Sequence, residues 1–157
     1  MKTDSVTRKK LIGLGLMSGN SMDGLDCCVA ETAIDKNYSF TYNILELKKY
    51  SYSYNDKEIL KKTIKDYDKG VCNVSEADKY FGSLMAELIA EQFNRHDIDF
   101  ISSHGHTIAH SDFNYSIQIG DPHFMCKKYK VPVIYNFRDA DIKNGGNGAP
   151  LMPFLDW

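Results

Sequence analysis

The chain changes its pattern of apolar residues about one third of the way along, and this change restricts the fold more than any other feature. Three segments rich in apolar, β-branched or aromatic residues come first, at residues 11–17, 25–34 and 38–54. Only short polar clusters separate them, and short connections favour antiparallel neighbours. We therefore expect the chain to begin with three antiparallel strands.

The middle of the chain has helical periodicity. Residues 56–67 are charged and amphipathic, and residues 75–96 repeat apolar side chains at the helical period. Ser75 is followed three residues later by Asp78, which resembles a capping box and predicts that the second helix begins there. We assign the apolar stripe of this helix to the core.

Strand and helix patterns then alternate towards the C-terminus. Short strands are predicted at residues 100–103, 116–119 and 131–137, with one or two helical turns at residues 122–129. Residues 144–153 are rich in glycine and proline and should form no regular element. The predicted fold class is α/β, a mixed sheet with flanking helices.

The composition excludes several classes of protein. Apolar residues make up 43% of the 157 residues and charged residues 25%, as in an ordinary globular domain. The net charge of -2 argues against a nucleic-acid binder with a basic face and against a polybasic membrane module. No apolar run approaches the roughly 18 residues of a membrane span.

The cysteines and the two ends of the chain lead to further expectations. Four cysteines without a C-x-x-C pair, two of them adjacent, indicate reduced thiols and a cytoplasmic location. The polar residues 1–10 should be disordered or extended, and residues 11–157 should form the folded unit. The apolar ending PFLDW leads us to expect that the natural chain, or a partner, continues past Trp157.

The segment SGNSMDG, from Ser18 to Gly24, separates two predicted strands. Glycines, hydroxyls and exposed backbone N–H groups in such a turn can hold phosphate. The segment lacks the G-K-[ST] sequence of a P-loop. Because the same residue types are ordinary in hairpins, a plain turn stays open as the alternative.

The segment SHGHTIAH places three of the five histidines within seven positions, at His104, His106 and His110. Imidazole is a common metal ligand, so a metal-dependent hydrolase is one interpretation, with Asp112 or Asp121 as a further ligand. In the other interpretation, the histidines lie in a polar loop and bind substrate or backbone.

Two more segments carry chemistry. In QIGDP, Asp121 can cap a helix that begins at Pro122, or it can contact a ligand. In FRDAD, Arg138 can bind an anion and a carboxylate can act as a general base. The glycines that follow, in GGNGAP, allow a backbone to approach a ligand closely. The alternative is a surface salt bridge beside a flexible loop.

Together, the segments GLMSGNSMDGLD, SHGHTIAH, QIGDP and FRDADIKNGGNGAPLMPFLD resemble the anhydro-N-acetylmuramic acid kinases of bacteria. They occur in the order that is typical of that family and span the chain from Leu11 onward. The resemblance implies the sugar-kinase and actin-like ATPase superfamily, whose members have two lobes, each built on a ribonuclease H-like sheet. This chain would be the first lobe.

The resemblance also implies a reaction. Water attacks the anomeric carbon of 1,6-anhydro-N-acetylmuramic acid and opens the anhydro bridge, and the freed O6 takes the γ-phosphoryl group of ATP. The product, N-acetylmuramate 6-phosphate, enters cell-wall recycling. ATP and Mg²⁺ are the implied cofactors, and the sugar is the implied partner.

Site residues follow from the matching motifs. Asp141 would be the general base, and His104, Asp121, Arg138 and Gly146 would contact the sugar, with Arg138 binding or orienting charged groups. The metal ligand is left open between two acids of the phosphate segment, Asp23 and Asp26. The phosphate segment would comprise Gly19, Asn20, Ser21, Met22, Asp23, Gly24, Leu25 and Asp26.

The chain departs from the family in three residues and in length. Asn20, His106 and Asn147 stand where the family pattern has Thr, Gln and Gln, which suggests a divergent member with a shifted substrate preference. Family members are about twice as long. Because phosphoryl transfer needs contacts from several sides, we expect little activity from this chain as a lone monomer, without a second lobe or a homodimer partner. A non-catalytic sugar- or nucleotide-binding half is the remaining alternative.

Overall fold

The computed structural model describes residues 10–35 and 39–151 and has a mixed sheet with flanking helices. The expectations for residues 1–9 and for the apolar ending fall outside the described residues. The elements are β1 (Lys10–Ser18), β2 (Gly24–Ile34), β3 (Phe40–Ser51), α1 (Tyr54–Asp68), α2 (Val74–Leu88), α3 (Ala90–Arg95), β4 (Phe100–Ser111), β5 (Tyr115–Ile119), α4 (Pro122–Tyr129), β6 (Val133–Ile134) and α5 (Phe137–Lys143).

The sheet has the order β3-β2-β1-β4-β5, and β6 also pairs with β4. The first three strands are antiparallel neighbours, as predicted. β4 runs parallel to β1 and β6 and antiparallel to β5. The α/β class and the mixed sheet are therefore confirmed, with β4 in a central position.

The core lies between the sheet and α2. Leu14 of β1 and Ile101 of β4 are fully buried. α2 contributes Phe81 and Met85, also fully buried, at the spacing that places them on one face of a helix. The assignment of the apolar stripe to the core is confirmed.

The structure corrects the predicted helix over residues 75–96. The N-cap is Asn73, whose side chain accepts from the Glu76 N–H, so Ser75 is not the cap. The chain also turns at Ile89, where α2 ends and α3 follows. Ile89 stays fully buried. Periodicity detects buried positions and not a one-residue interruption of the helix, so the pattern passes through the break.

Two further predictions were wrong near the C-terminal motifs. The strand expected over residues 131–137 is only Val133–Ile134, because Asn136 adopts a left-handed φ of 61° and Phe137 begins α5. FRDAD therefore lies on a helix. The histidine segment was expected in a loop, yet it lies within β4, where pairing with β5 extends the strand to Ser111.

Candidate active site

The predicted phosphate segment is only partly a turn. Ser18 ends β1 and Gly24 begins β2, and the Met22 N–H donates to the Gly19 carbonyl at 3.0 Å between them. Met22 has a φ of 53°, which tightens the turn. Leu25 lies in β2 with a fully buried side chain, and Asp26 lies beside it in the same strand. Residues 19–23 are therefore the part of the segment whose backbone can face a ligand.

One lysine lies beside both acids of this segment. Asp23 accepts from Lys49 at 2.6 Å and from the Ser21 hydroxyl at 2.6 Å. These two hydrogen bonds lower the pKa of Asp23 to about 2. Asp26 lies 3.9 Å from the same ammonium group. Asp23 is thus ionised near neutral pH, and any cation that binds beside these two acids competes with Lys49.

A buried hydrogen-bond chain lies under the turn. Tyr52 donates from its hydroxyl to Ser18 Oγ at 3.0 Å, and Ser18 Oγ lies 3.0 Å from His106 Nδ1. The His106 ring is fully buried, and burial, together with the nearby His104, lowers its pKa to about 4. The ring is therefore neutral at physiological pH. No local pattern in the sequence marks Tyr52 as a site residue, because its contact with Ser18 depends on the pairing of distant strands.

A second chain joins three of the predicted sugar and base residues. Arg138 Nε donates to His104 Nε2 at 2.9 Å, and Arg138 Nη1 donates to the Gly148 carbonyl at 2.7 Å. The Gly148 N–H donates in turn to Asp141 Oδ2 at 2.8 Å. Burial lowers the pKa of His104, and the proximity of Arg138 lowers it further. A neutral His104 is consistent with its role as an acceptor here.

The glycine-rich segment folds around the Asp141 carboxylate. The Gly146 N–H donates to the Asp141 carbonyl at 2.9 Å. A Cβ added at Gly146 would overlap with the Asp141 carboxyl group. The absence of a side chain at Gly146 therefore gives this carboxylate its position, while Asp141 itself remains exposed. Of the sugar contacts expected from the sequence, Gly146 thus lies against the predicted base.

A cavity of about 380 Å³ lies between β4, α2 and the turn before α4. His104 and Asp121 both line it. Asp121 also caps α4, since its carboxylate accepts from the His123 N–H at 3.0 Å and lies 2.7 Å from His123 Nδ1. The prediction that Asp121 caps the helix is confirmed. Asp121 also lines the cavity, where it is accessible to a ligand.

Asp78 is a wall residue of the same cavity that sequence reasoning missed as a site residue. Its carboxylate accepts from the Gly120 N–H at 2.8 Å, and its carbonyl accepts from the Asp121 N–H at 3.1 Å. Burial raises the pKa of Asp78. α2 thereby fixes the turn that carries Asp121. The short spacing to Ser75 suggested a helix cap instead.

A second cavity, of about 310 Å³, brings the predicted phosphate turn next to the histidine segment. It is lined by Asn20 and Met22 of the turn, by Ile64 of α1 and by residues 106–110 of β4. Two motifs that lie more than eighty residues apart in the sequence thus share one cavity.

The histidines do not form a metal centre. His104 Nε2 accepts from a guanidinium group, and His106 Nδ1 is bonded to Ser18. His110 pairs with Asp112 at 3.0 Å. Within residues 10–35 and 39–151, no three His, Cys, Asp or Glu side chains come close enough to hold a metal ion. The hydrolase interpretation is therefore not favoured.

None of the helices in the described part of the chain is both long and apolar enough to cross a membrane.

Comparison with known proteins identifies the family. The sequence profile described as "Anhydro-N-acetylmuramic acid kinase" matches residues 11–157. A protein of that name from Pelagibacter ubique is 34% identical, over 90% of this chain and 39% of its own length. A relative of the same name from Clostridioides difficile is 32% identical, over 94% of this chain and 41% of its own length.

The chain thus spans about 40% of the length of the curated relatives it matches. Relatives with this name are phosphotransferases, and the α/β sheet agrees with the sugar-kinase and actin-like ATPase fold that the resemblance implied. Because the profile match begins at Leu11 and includes all four motifs, the chain belongs to the anhydro-N-acetylmuramic acid kinase family.

Proposed function

We propose that residues 11–157 supply the first lobe of an ATP-dependent kinase. The enzyme would open the 1,6-anhydro bridge of 1,6-anhydro-N-acetylmuramic acid and phosphorylate O6, giving N-acetylmuramate 6-phosphate for peptidoglycan recycling in the cytoplasm. Family membership supports the reaction type. The hydrogen-bond chain from His104 through Arg138 and Gly148 to Asp141 is the observation that carries the assignment to this site.

That chain connects the wall of the larger cavity to the proposed base. The residues that form these hydrogen bonds lie in three parts of the structure, namely β4, α5 and the glycine-rich segment. A sugar bound against His104 would therefore meet a site whose carboxylate is held at a defined position. Such positioning is what catalysis of a reaction between bound groups requires.

Asp141 is the proposed general base. Its Oδ2 accepts from the Gly148 N–H, and its side chain is open to solvent, where a water molecule can reach it. Asp141 would take a proton from the water as the water oxygen bonds to the anomeric carbon and the bond from that carbon to O6 breaks. O6 then attacks the γ-phosphorus of ATP, and ADP leaves.

The sugar would lie in the 380 Å³ cavity, against His104 and Asp121, with Gly146 beside the base. Arg138 has two of its N–H donor groups committed to His104 and Gly148. We therefore assign it to orienting the sugar site rather than to direct binding through a bidentate fork.

The turn after β1 is the proposed ATP phosphate site, with Gly24, Leu25 and Asp26 supporting it from β2. Among the described residues, no hydrogen bond occupies the N–H groups of Asn20 and Ser21, which leaves them free to donate to phosphate. Asp23 and Asp26 are the carboxylates closest in sequence to this turn and fit a preference for oxygen ligands. Asp23 or Asp26 would hold Mg²⁺ there, and the ion would supply positive charge that neutralises the phosphates.

One lobe of a two-lobed kinase provides contacts to ATP from one side only. We propose that a second lobe, from the same longer protein or from a second copy of the chain, supplies the remaining contacts to ATP. Nucleic acid and membranes are not among the proposed partners.

The test is ADP release from MgATP in the presence and absence of 1,6-anhydro-N-acetylmuramic acid. The folded chain is assayed alone and with the C-terminal part of the Pelagibacter ubique relative added. We expect turnover that requires the sugar together with either the added part or a homodimer of the chain, with N-acetylmuramate 6-phosphate identified by mass. A phosphorylated product of any other sugar only, or sugar-dependent turnover by the lone monomer, would contradict the proposal.

Asp141→Asn tests the base. Turnover should fall at least about a hundredfold, the usual contribution of a general base, while the sugar still binds in calorimetry. Asp139→Asn is the matched control, since Asp139 lies on the same helix and pairs with Lys143 at 2.6 Å. Equal turnover in the two variants would show that Asp141 is not the base, whereas an assembly without turnover before either change would support a non-catalytic binding half.

A further inference from the structure

His106 has a ring nitrogen without a partner in a place where an unpaired polar atom is costly. The Nδ1 atom is bonded to Ser18, but Nε2 is buried and forms no hydrogen bond within the described part of the chain. The residue as a whole is fully buried. Leaving a buried donor or acceptor unpaired is unfavourable, and native structures contain few such groups.

The hydrogen-bond chain under the turn is compatible with a His106 tautomer in which Nδ1 accepts from Ser18. Tyr52 donates its hydroxyl hydrogen to Ser18 Oγ. The Ser18 hydroxyl then has its own hydrogen left to donate, and His106 Nδ1 lies 3.0 Å away. A neutral imidazole with Nδ1 as the acceptor carries its proton on Nε2. In this tautomer, the unpartnered atom is an N–H donor.

His106 is one of the residues that line the 310 Å³ cavity. Asn20 and Met22 of the proposed phosphate turn line the same cavity, and Asn20 has a free backbone N–H among the described residues. His110, another wall residue, has a buried Nδ1 without a partner among the described residues, and this atom is an acceptor, because Nε2–H donates to Asp112 at 3.0 Å. The donors beside the turn, His106 and the Asn20 N–H, suit a ligand rich in acceptor oxygens.

We propose that His106 Nε2–H donates a hydrogen bond to a phosphate oxygen of the ligand held at the turn formed by residues 19–22, and that Tyr52 and Ser18 are positioning residues that keep the ring in this donor form. The inference rests on the proposed function, because it takes this turn as the phosphate site. It adds a recognition residue from β4 to the backbone donors of the turn.

A hydrogen-bond donor at this place in β4 also accounts for His106 in the position where the related pattern has Gln. The related pattern has Gln where this chain has His106, and a Gln amide is a donor too. A His whose tautomer is fixed by Ser18 can replace the amide donor. Conversely, restoring Gln should preserve phosphate binding, whereas an apolar side chain of similar size should not.

The first experiment uses ¹⁵N-labelled histidine and long-range proton–nitrogen NMR correlations on the full chain. Magnesium tripolyphosphate is the probe, and adenosine, which has no phosphate, is the control ligand. We expect His106 to have a bare Nδ1 and a protonated Nε2 before addition, and we expect the Nε2 signal to shift on saturation. His96, which pairs with Glu46 elsewhere, should not respond. A protonated Nδ1, an Nε2 signal that tripolyphosphate leaves unchanged, or no binding would overturn the proposal.

The second experiment compares affinities by calorimetry. His106→Leu should weaken tripolyphosphate binding at least about tenfold, as expected for loss of a hydrogen bond to a charged group. His106→Gln should stay within about threefold of the parent chain, and His96→Gln should match it. Equal affinity in folded His106→Leu would overturn the proposal, and the NMR result decides the question if that variant does not fold.

The experiments distinguish a failure of the proposed function from a failure of the proposed phosphate contact. Tripolyphosphate binding through His106, without sugar-dependent ADP release in the assay above, would contradict the proposed function and support the phosphate contact. Sugar-dependent turnover with an unchanged tripolyphosphate affinity in His106→Leu would support the proposed function and contradict the phosphate contact.

Discussion

Mild acid should weaken the fold through the buried His106 ring. Burial and the nearby His104 lower the pKa of His106 to about 4 in the folded chain. An unfolded chain takes up a proton on this ring near the ordinary value of 6.5. Between these two values, the unfolded state binds more protons than the folded state, so the free energy of unfolding falls as the pH falls. The contribution is fully present above pH 6.5.

The size of the effect follows from the width of that window. Each pH unit changes the free energy of unfolding by at most about 1.4 kcal/mol for one proton. The loss therefore reaches about 3 kcal/mol by pH 4, a large part of the stability of an ordinary domain. His104 adds to the loss in the same direction, because burial also lowers its pKa. The pKa of Asp23 in the folded chain is about 2, so Asp23 titrates below the pH range in which His106 acts.

The assay is urea unfolding followed by circular dichroism at several pH values from 7.5 to 4.5. The His106→Gln variant has no titratable ring at this position, so most of the slope between pH 6.5 and 4.5 should disappear. His96→Gln is the matched control for replacing a histidine by an amide at a different place in the fold. The explanation is refuted if His106→Gln retains the full slope, or if the parent chain is equally stable at pH 6.5 and 4.5.

Three further substitutions test local features of the fold and the site. Asn73→Ala should lower the free energy of unfolding by about 1 kcal/mol through loss of the helix cap, while Ser75→Ala should have almost no effect in the same urea titration. Asp78→Ala should cost about 1–2 kcal/mol, because the Gly120 N–H loses its acceptor; an unchanged unfolding midpoint would show that this contact is not needed. Gly146→Ala should displace the Asp141 carboxylate and abolish sugar-dependent turnover in the two-part assay, with the fold verified by circular dichroism. Full turnover in that variant would mean that the loop rearranges freely.

Local signals in the sequence predicted the elements that depend on neighbouring residues. α4 is the clearest case, because Asp121 caps it and Pro122 occupies its first turn, and its observed bounds are those expected from the sequence. The N-terminal strands were predicted from apolar and β-branched composition together with short connections. Both kinds of signal lie within about ten residues of the element they specify.

The predictions failed where a distant contact or a single backbone angle decides the structure. The helix over FRDAD depends on the left-handed conformation of Asn136, which ends β6 after two residues. The full length of β4 depends on pairing with β5, which the histidine-rich composition does not reveal. Short segments carry too little periodicity to separate a strand from a helical turn.

For the candidate site too, local signals predicted the motif residues, and the residues that depend on distant contacts were missed. Three of the four motifs contribute residues to the walls of the two cavities, and their unusual composition is visible in the sequence. FRDAD lines neither of these cavities. The partners that hold those residues were missed. Tyr52 reaches Ser18 across 34 positions, and Asp78 reaches Gly120 across 42 positions. Contacts of this range exist only after the sheet and α2 have packed together.

The backbone conformation of Gly105 explains how the single strand β4 lines two cavities. In a regular strand, side chains two positions apart point to the same face, so His104 and His106 would be neighbours on one side. Gly105 has a φ of 71°, a conformation that a side chain would strain, and a Cβ there would lie 2.8 Å from the Ile119 carbonyl. Because the backbone turns at Gly105, His104 lines the larger cavity and His106 the smaller one. Under the proposed function, the sugar wall and the phosphate wall are therefore separated by one residue of β4, which is the proximity that transfer of a phosphoryl group to O6 demands.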